Sequence, residues 1–246
     1  DITKVDIDNE DGDEEEWTPL DKIKIEVEVS NEGNEKLKDV FVEIGLINSQ
    51  GNNVIDDMDD LDDEEIELGS IKDGKDDKAV FSFTVPADFE EDTYSLIVKA
   101  FSKDLNEDNL CVAHSSDLDN SFFHKIDGER EEDEDKHMIL DKIVVSPSPA
   151  QCGERVQVTG EVVNVGDNDY EDQIKVVLFN KELGINLEKV IKENFDKGDS
   201  ELVDFEFDVK DDLDEKVYVL ELTTFYDYDE SDKAYDLNSE EVFTTA

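Results

Sequence analysis

The residues best suited to chemistry in this chain are carboxylates. Asp6, Asp8, Glu10, Asp11 and Asp13 fall in one short stretch, Asp56, Asp57, Asp59 and Asp60 in another, and Asp227, Asp229 and Asp232 in a third. Asp104, Asn106 and Asp108 have the opening spacing of an EF-hand loop, but Asn109 stands where that loop needs Gly and Ser115 where it needs the closing Glu. Calcium takes several oxygen ligands at about 2.4 Å from carboxylates and carbonyls of a bent loop, so these clusters are its candidate sites. The strongest are Asp8, Glu10, Asp11 and Asp13, and Asp104, Asn106 and Asp108. The competing reading is a solvated acidic surface screened diffusely by cations. With 72 Asp and Glu, clusters arise by chance. No cofactor is required by any motif, and Ca2+ is the one ion to consider.

Other chemistry is thin. His114, His124 and His137 lie far apart, and no Ser or Cys has a nucleophile's setting around it. A zinc site from His114, Cys111 and Cys152 lacks paired ligand spacing. No Gly-rich phosphate loop or dinucleotide fingerprint is present. The expectation is a protein that is not an enzyme. The only two cysteines are Cys111 and Cys152. In a reducing compartment they read as two free thiols, and in an oxidising one as a disulfide. Such a bridge would close a loop of about 40 residues and contribute roughly 3–4 kcal/mol in the chain-entropy picture.

The elements that must carry these residues alternate with period two. Ile23, Ile25, Val27 and Val29 alternate with Lys24, Glu26 and Glu28, and Phe81, Phe83 and Val85 with Ser82 and Thr84 after Ala79. Short alternating runs, turn signals every 8–12 residues and almost no helical periodicity predict an all-β chain of sandwiches. Phe81/Phe83 and Phe205/Phe207 put both rings of each pair on one inner face. Trp17 reads as a core or interdomain plug.

The pattern also occurs twice. Asn31-Glu32-Gly33 before Asp39 returns as Asn164-Val165-Gly166 before Asp172. Gly74, Phe81, Phe83, Val85, Tyr94, Leu96 and Phe101 return as Gly198, Phe205, Phe207, Val209, Tyr218, Leu220 and Phe225. The first copy carries about nine extra residues between these blocks. The organisation expected is a sandwich over 1–128 with an acidic insertion at 48–65, an acidic linker over 129–136 and a second sandwich over 137–246. Each copy is long enough for its own core.

A net charge of −49 excludes nucleic acid and anionic membrane surfaces as direct partners. Repulsion at that density calls for salt or divalent cations. Of the 23 basic residues 21 are Lys, which strongly halophilic chains tend to avoid. No run is apolar or long enough to cross a membrane as a helix, and none reads as a signal peptide. A start at Asp1 is what a processed chain, or part of a longer one, shows. No Asn-X-Ser/Thr glycosylation sequon is present.

The stretch from Val144 to Asn186 holds Ser-Pro-Ser-Pro-Ala-Gln-Cys-Gly-Glu, then Val-Val-Asn-Val-Gly-Asp-Asn-Asp, then Glu-Leu-Gly-Ile-Asn. With Lys136-His137 it resembles the tandem Ig-like β-sandwich S-layer proteins of small-genome, DPANN-type archaea. The Asn-X-Gly turn before a charged strand is also similar to cell-adhesion-related Ig-like domains of bacteria and archaea. The resemblance spans both copies and is sharpest over about 40 residues of the second. It implies an exported, extracellular cell-surface protein that self-assembles as a homo-oligomeric lattice or filament. In that family a Cys before the linker and one in the Ser-Pro-X-X-X-Cys-Gly segment recur, which here are Cys111 and Cys152. The alternatives are a non-assembling surface adhesin or receptor ectodomain presenting 48–65 to a protein or glycan, and an accessory module of a larger exported enzyme.

Overall fold

Strands form where side chains alternate between two environments, and the computed structural model shows that alternation as two packed sheets in each half of the chain. It describes residues 1–10, 12–102, 113–114, 123–130, 136–211 and 213–245. The chain divides into two compact units, Asp1–Arg130 and Glu131–Ala246.

In unit 1 the strands are β1 (Ile2–Asn9), β2 (Glu16–Trp17), β3 (Lys22–Asn31), β4 (Leu37–Ile47), β5 (Glu65–Ile71), β6 (Lys75–Thr84), β7 (Asp92–Ser102), β8 (Ala113–His114) and β9 (Phe123–Gly128). One sheet has the order β1-β3-β6, the other β2-β9-β7-β4-β5 with β8 on β7. In unit 2 they are β10 (Met138–Ser146), β11 (Arg155–Asn164), β12 (Ile174–Asn180), β13 (Ile185–Ile191), β14 (Ser200–Asp208), β15 (Tyr218–Asp229) and β16 (Ala234–Thr245). Their sheets are β10-β11-β14 and β13-β12-β15-β16. Replacing β1, β3, β6 by β10, β11, β14, and β9, β7, β4, β5 by β16, β15, β12, β13, converts one unit's topology into the other's. The sequence repeat is thus a repeated all-β, Ig-like sandwich.

The buried faces are those the alternation predicts. Ile23, Ile25, Val27 and Val29 of β3 pair across from Phe83, Phe81, Ala79 and Asp77 of β6, and every apolar member of that set is buried. Val42, Ile44 and Leu46 of β4 face them from the other sheet with Leu96 and Val98 of β7, all in one core. Trp17 is fully buried in that core, edge-on to Phe83 at 5.6 Å between ring centroids. In unit 2, Phe205 is buried and Phe207 packs partly buried on the same cluster.

Two features depart from expectation. Phe101 and Phe225, repeated like core residues, lie half-buried on the outer sheet face. Lys99 Nζ sits 4.6 Å from the Phe101 ring centre and Lys175 Nζ 4.5 Å from that of Phe225, so the alkyl stem and charge of a lysine cover each ring. Arg130, placed by the sequence in the acidic linker, is buried and packs on unit 1. Its guanidinium donates to Ala87 O at 3.2 Å and to Phe89 O.

The extra residues of the first copy lie in the β4–β5 connection, which runs over 48–64 where β12–β13 needs only 181–184. This insertion is acidic outside but anchored inside. A 3-10 turn, Ile55–Asp57, drives Ile55 into the core with Met58. Asp59 and Thr84 exchange both backbone hydrogen bonds at 2.9 and 2.7 Å, tying the insertion to β6 in the opposite sheet.

Each unit begins and ends at opposite poles. Ile2 lies beside Val29, at the pole where β3 ends. Gly128 lies beside Asp92, just after β6 has finished with Thr84 opposite Lys22, at the other pole. Unit 2 repeats this. Met138 lies opposite Asn164, and Thr245 opposite Tyr218 at the pole of Arg155 and Asp208.

Candidate functional site

The duplicated Asn-X-Gly motif is a structural joint. Asn31 is buried, and its amide Nδ2 donates to Glu35 O at 2.8 Å and Ile71 O at 3.0 Å. Its Oδ1 accepts from Gly33 N at 3.0 Å. Asn164, also buried, donates to Asn168 O at 2.9 Å, Asp196 O at 3.3 Å and Phe195 O at 3.4 Å, and accepts from Gly166 N at 3.1 Å. The backbone carbonyls of Asn31 and Asn164 accept from Gly74 N and Gly198 N at 2.8 and 2.9 Å. One side chain therefore satisfies a turn and an incoming strand that would otherwise bury unpaired backbone groups. This chemistry explains why the Asn recurs, while Gly74 and Gly198 recur because their φ angles are 62° and 85°.

The acidic clusters do not converge. Among the described residues no three His, Cys, Asp or Glu side chains stand together as metal ligands. Asp6, Asp8, Glu10 and Asp13 are exposed. Asp8 is held in the β1 ladder opposite Lys24, and Asp13 Oδ1 accepts from Glu15 N at 3.1 Å. The loop is organised instead by two residues outside the expected set. Asn9 donates to Asp21 Oδ2 at 2.8 Å and Asp13 O at 3.0 Å, and buried Asp21 accepts from Thr18 N and Oγ1 at 2.8 and 3.0 Å. A turn built around a buried amide-carboxylate pair leaves its outer carboxylates splayed toward water. Asp11, Asp104, Asn106 and Asp108 lie outside the described residues.

The carboxylates of the other clusters have separate settings. Asp56 and Asp57 open the 3-10 turn, and Asp60 Oδ2 accepts from Thr84 Oγ1 at 3.4 Å. Asp229 Oδ1 accepts from Ser231 N at 2.6 Å and Asp232 N at 3.3 Å, which closes the β15–β16 hairpin; the Ser231 side chain first, and then these N–H groups, hold the Asp229 carboxyl below its ordinary value. Asp227 pairs with Lys136.

Cys152 is a free, exposed thiol, because the Gln151–Glu154 turn at the head of β11 faces it outward. Cys111 lies outside the described residues. The histidines stay apart as well. His124 is in β9 opposite Leu96, and His114 is in β8 opposite Lys99. His137 lies edge-on to Tyr226 in unit 2.

Two grooves remain. In unit 1 an open cavity of about 910 Å3 lies between the insertion and the 86–92 loop, with Asp57, Asp59, Asp88, Glu90, Glu91 and Asp92 on its walls. Asp92 is held below the usual carboxylate range, chiefly by the Ser49 hydroxyl, which donates to it at 2.8 Å. Burial pushes the Tyr94 phenol up to about 12, and the hydroxyl donates to Glu90 O at 2.9 Å. In unit 2 a cavity of about 720 Å3 is lined by Cys152, Val156, Leu183, Phe207, Leu213 and Val217 among others. In the first the Ser49 hydroxyl sits on the Asp92 carboxylate with no histidine among the lining residues, and in the second Cys152 supplies a thiol, again with no lining histidine.

No family model matches the chain, and no curated protein matches it. It is similar in structure to red sea bream transglutaminase (12% identity, TM-score 0.32, covering 100% of this chain and 31% of that one). It is also similar to Bacteroides uniformis beta-glucuronidase (12%, 0.35, 92% and 26%). A third is dimeric latent PorU from Porphyromonas gingivalis (12%, 0.35, 99% and 20%). The chain spans less than a third of the length of each. Likenesses of this size say nothing about activity.

Proposed function

We propose that this chain is a non-catalytic structural module of a cell-surface protein, a subunit of an archaeal S-layer or extracellular filament that self-assembles through its sandwiches. The observation that carries this reading is the kind of residue that was duplicated. The repeated positions are core side chains, lysine-capped aromatics and the buried asparagine joint, all of which build a sandwich. A unit whose chain begins and ends at opposite poles suits serial repetition. An acidic surface lets divalent cations neutralise facing copies, because each screened carboxylate pair removes repulsion that water alone leaves in place. The location outside the cell rests on the resemblance to surface proteins and on this charge.

The second reading, a non-assembling adhesin, has one observation in its favour. The insertion over 48–64 is fastened at Ile55, Met58 and Asp59 and forms one wall of the acidic groove, as a rigid presenting loop would. Size-exclusion chromatography and negative-stain imaging with and without millimolar calcium separate the two. Ordered sheets or filaments support assembly. A persistent monomer at high concentration with cation present would sink it in favour of the adhesin.

A further inference from the structure

We propose that unit 1 is the tension-bearing member of the tandem, because its C-terminal exit is locked by a clamp that has no counterpart among the described residues of unit 2. The clamp is made by residues 15–17 and 127–130. The strands β2 and β9 pair in parallel, Glu16 beside Asp127 and Trp17 beside Gly128. Asp127 N donates to Glu15 O at 2.8 Å and Glu129 N donates to Trp17 O at 2.9 Å. One residue further, the buried Arg130 guanidinium donates to Ala87 O and Phe89 O. Trp17 itself is fully buried, and its indole N–H donates to Glu14 O at 3.2 Å.

Geometry makes these bonds mechanical. Tension on unit 1 pulls its N-terminal segment toward the pole of Val29 and its C-terminal segment toward the pole of Asp92. β2 and β9 both run toward the second pole, so β2 is drawn back along its own axis while β9 is drawn forward along the same axis. Interstrand bonds lie across that direction. They must therefore stretch together, whereas bonds at the fork of an opening hairpin break one at a time. Arg130 lies nearest to the pull and shares the load with the 87–89 backbone.

Unit 2 has the same poles but a different fastening. Among the described residues β16 pairs only with β15, and β10 only with β11. One side-chain bond, Ser239 Oγ donating to Met138 O, joins its first and last strands. The duplication thus supplies an internal control: two sandwiches of one topology, one with a parallel terminal clamp. The inference concerns resistance to tension and does not depend on self-assembly.

The test is single-molecule stretching of the full chain held at its two ends. Unit 1 has 130 residues and unit 2 has 116, so their fully stretched lengths differ, at about 450 Å against about 400 Å. At fixed force the shorter step is expected first, with the longer step at least tenfold slower, since forced unfolding reports the unfolding rate. Asp127→Pro removes the N–H bonded to Glu15 O, and Arg130→Ala removes the guanidinium while leaving every strand intact. Each is expected to speed the longer step at least tenfold under force and to leave the shorter step alone. Without force, in denaturant, the same variants should accelerate unfolding by a smaller factor. Arg130→Ala keeps the test decisive should Asp127→Pro fail to fold. The longer step coming first, equal rates for the two steps, or equal acceleration with and without force would each overturn the proposal.

Discussion

Removing the buried asparagine joint from one unit should destabilise that unit alone. Asn31→Ala deletes two donated bonds, to Glu35 O and Ile71 O, and one accepted from Gly33 N. The residue is 2% exposed, so water cannot replace those partners without opening the turn. Each stranded buried group costs about 1–3 kcal/mol, and relaxation of the turn toward solvent rescues part of the sum. The net loss expected is about 2–4 kcal/mol, a large share of the roughly 5–15 kcal/mol that holds a domain together. With a urea slope of about 1–3 kcal/mol/M, the midpoint of unit 1 falls by about 1–2 M. Asn164→Ala should lower the other transition by a similar amount, since Asn164 makes the corresponding contacts in unit 2. The assay is urea unfolding followed by Trp fluorescence and by far-UV circular dichroism. Trp17 is the only tryptophan and lies in unit 1, so Asn31→Ala moves the fluorescence transition and Asn164→Ala moves only the dichroism. Asn31→Asp should cost more than Ala at pH 7, because a carboxylate would face two carbonyl oxygens, and the excess should vanish as acid protonates it. A loss under about 0.5 kcal/mol, or both alanine variants shifting the fluorescence transition, would refute the reasoning.

Other outcomes follow from the same contacts. Gly128→Ala should destabilise unit 1 by about 1–3 kcal/mol, because a Cβ there would lie 2.6 Å from Tyr94 Cε2 and 2.9 Å from Glu90 O; Gly45→Ala, with its nearest neighbour at 3.5 Å, is the milder control by the same thermal melt. Burial raises Tyr94 and Tyr170 to about 12. Their contribution is therefore intact below the ordinary phenol pKa near 10 and is lost as pH climbs through 12; tyrosinate absorbance should show a late-titrating class that disappears on unfolding. Melting temperature should rise with sodium chloride and with calcium through screening, and the triple variant Asp8→Asn, Glu10→Gln, Asp13→Asn should respond to calcium as the parent does. A thermal melt should show acid destabilising the chain as pH falls through and below the ordinary carboxylate range. Asp92, Asp127 and Glu26 have lowered pKa values, so their contributions persist above the ordinary carboxylate range and are lost below it.

The fold was legible because one physical signal, alternation of apolar and polar residues, dominates and occurs twice. Ile23–Val29 and Ala79–Val85 read as strands from alternation alone, and the paired Asn-X-Gly turns fixed the repeat. What sequence could not supply was pairing without alternation. β2 is two residues long, and its parallel partner is more than 100 positions away, so no local pattern marks it. Arg130 was hidden by its neighbours, since the acids following it dress a buried clamp as a solvated linker. The insertion misled in the same way, with Ile55 and Met58 carrying the packing among a run of aspartates. At Asp8, Glu10 and Asp13 spacing along a chain says nothing about convergence, and among the described residues these carboxylates do not stand together as ligands. There the buried Asn9–Asp21 pair takes the centre of the loop.

Comparing the two copies separates what a sandwich requires from what each unit adds. Asn31/Asn164 and Phe81/Phe205 survive because losing either strands a buried group or empties core volume, and Gly74/Gly198 because their backbones hold φ of 62° and 85°. The lysine-capped Phe101/Phe225 pair survives on an outer face for a different reason. A bare ring there would be an adhesive spot, and a lysine stem covers it while placing a cation among carboxylates. Features confined to one copy have no such requirement behind them. The parallel clamp, the anchored insertion and the buried Asn9–Asp21 loop all belong to unit 1, and the 720 Å3 groove belongs to unit 2. If duplication preserved the block and divergence assigned the tasks, load should be carried by unit 1 and any ligand-facing apolar surface by unit 2. Exchanging the two units in chain order would then move the slow step under force with unit 1, and a slow step that stayed with chain position would show that neighbours, rather than the clamp, set it.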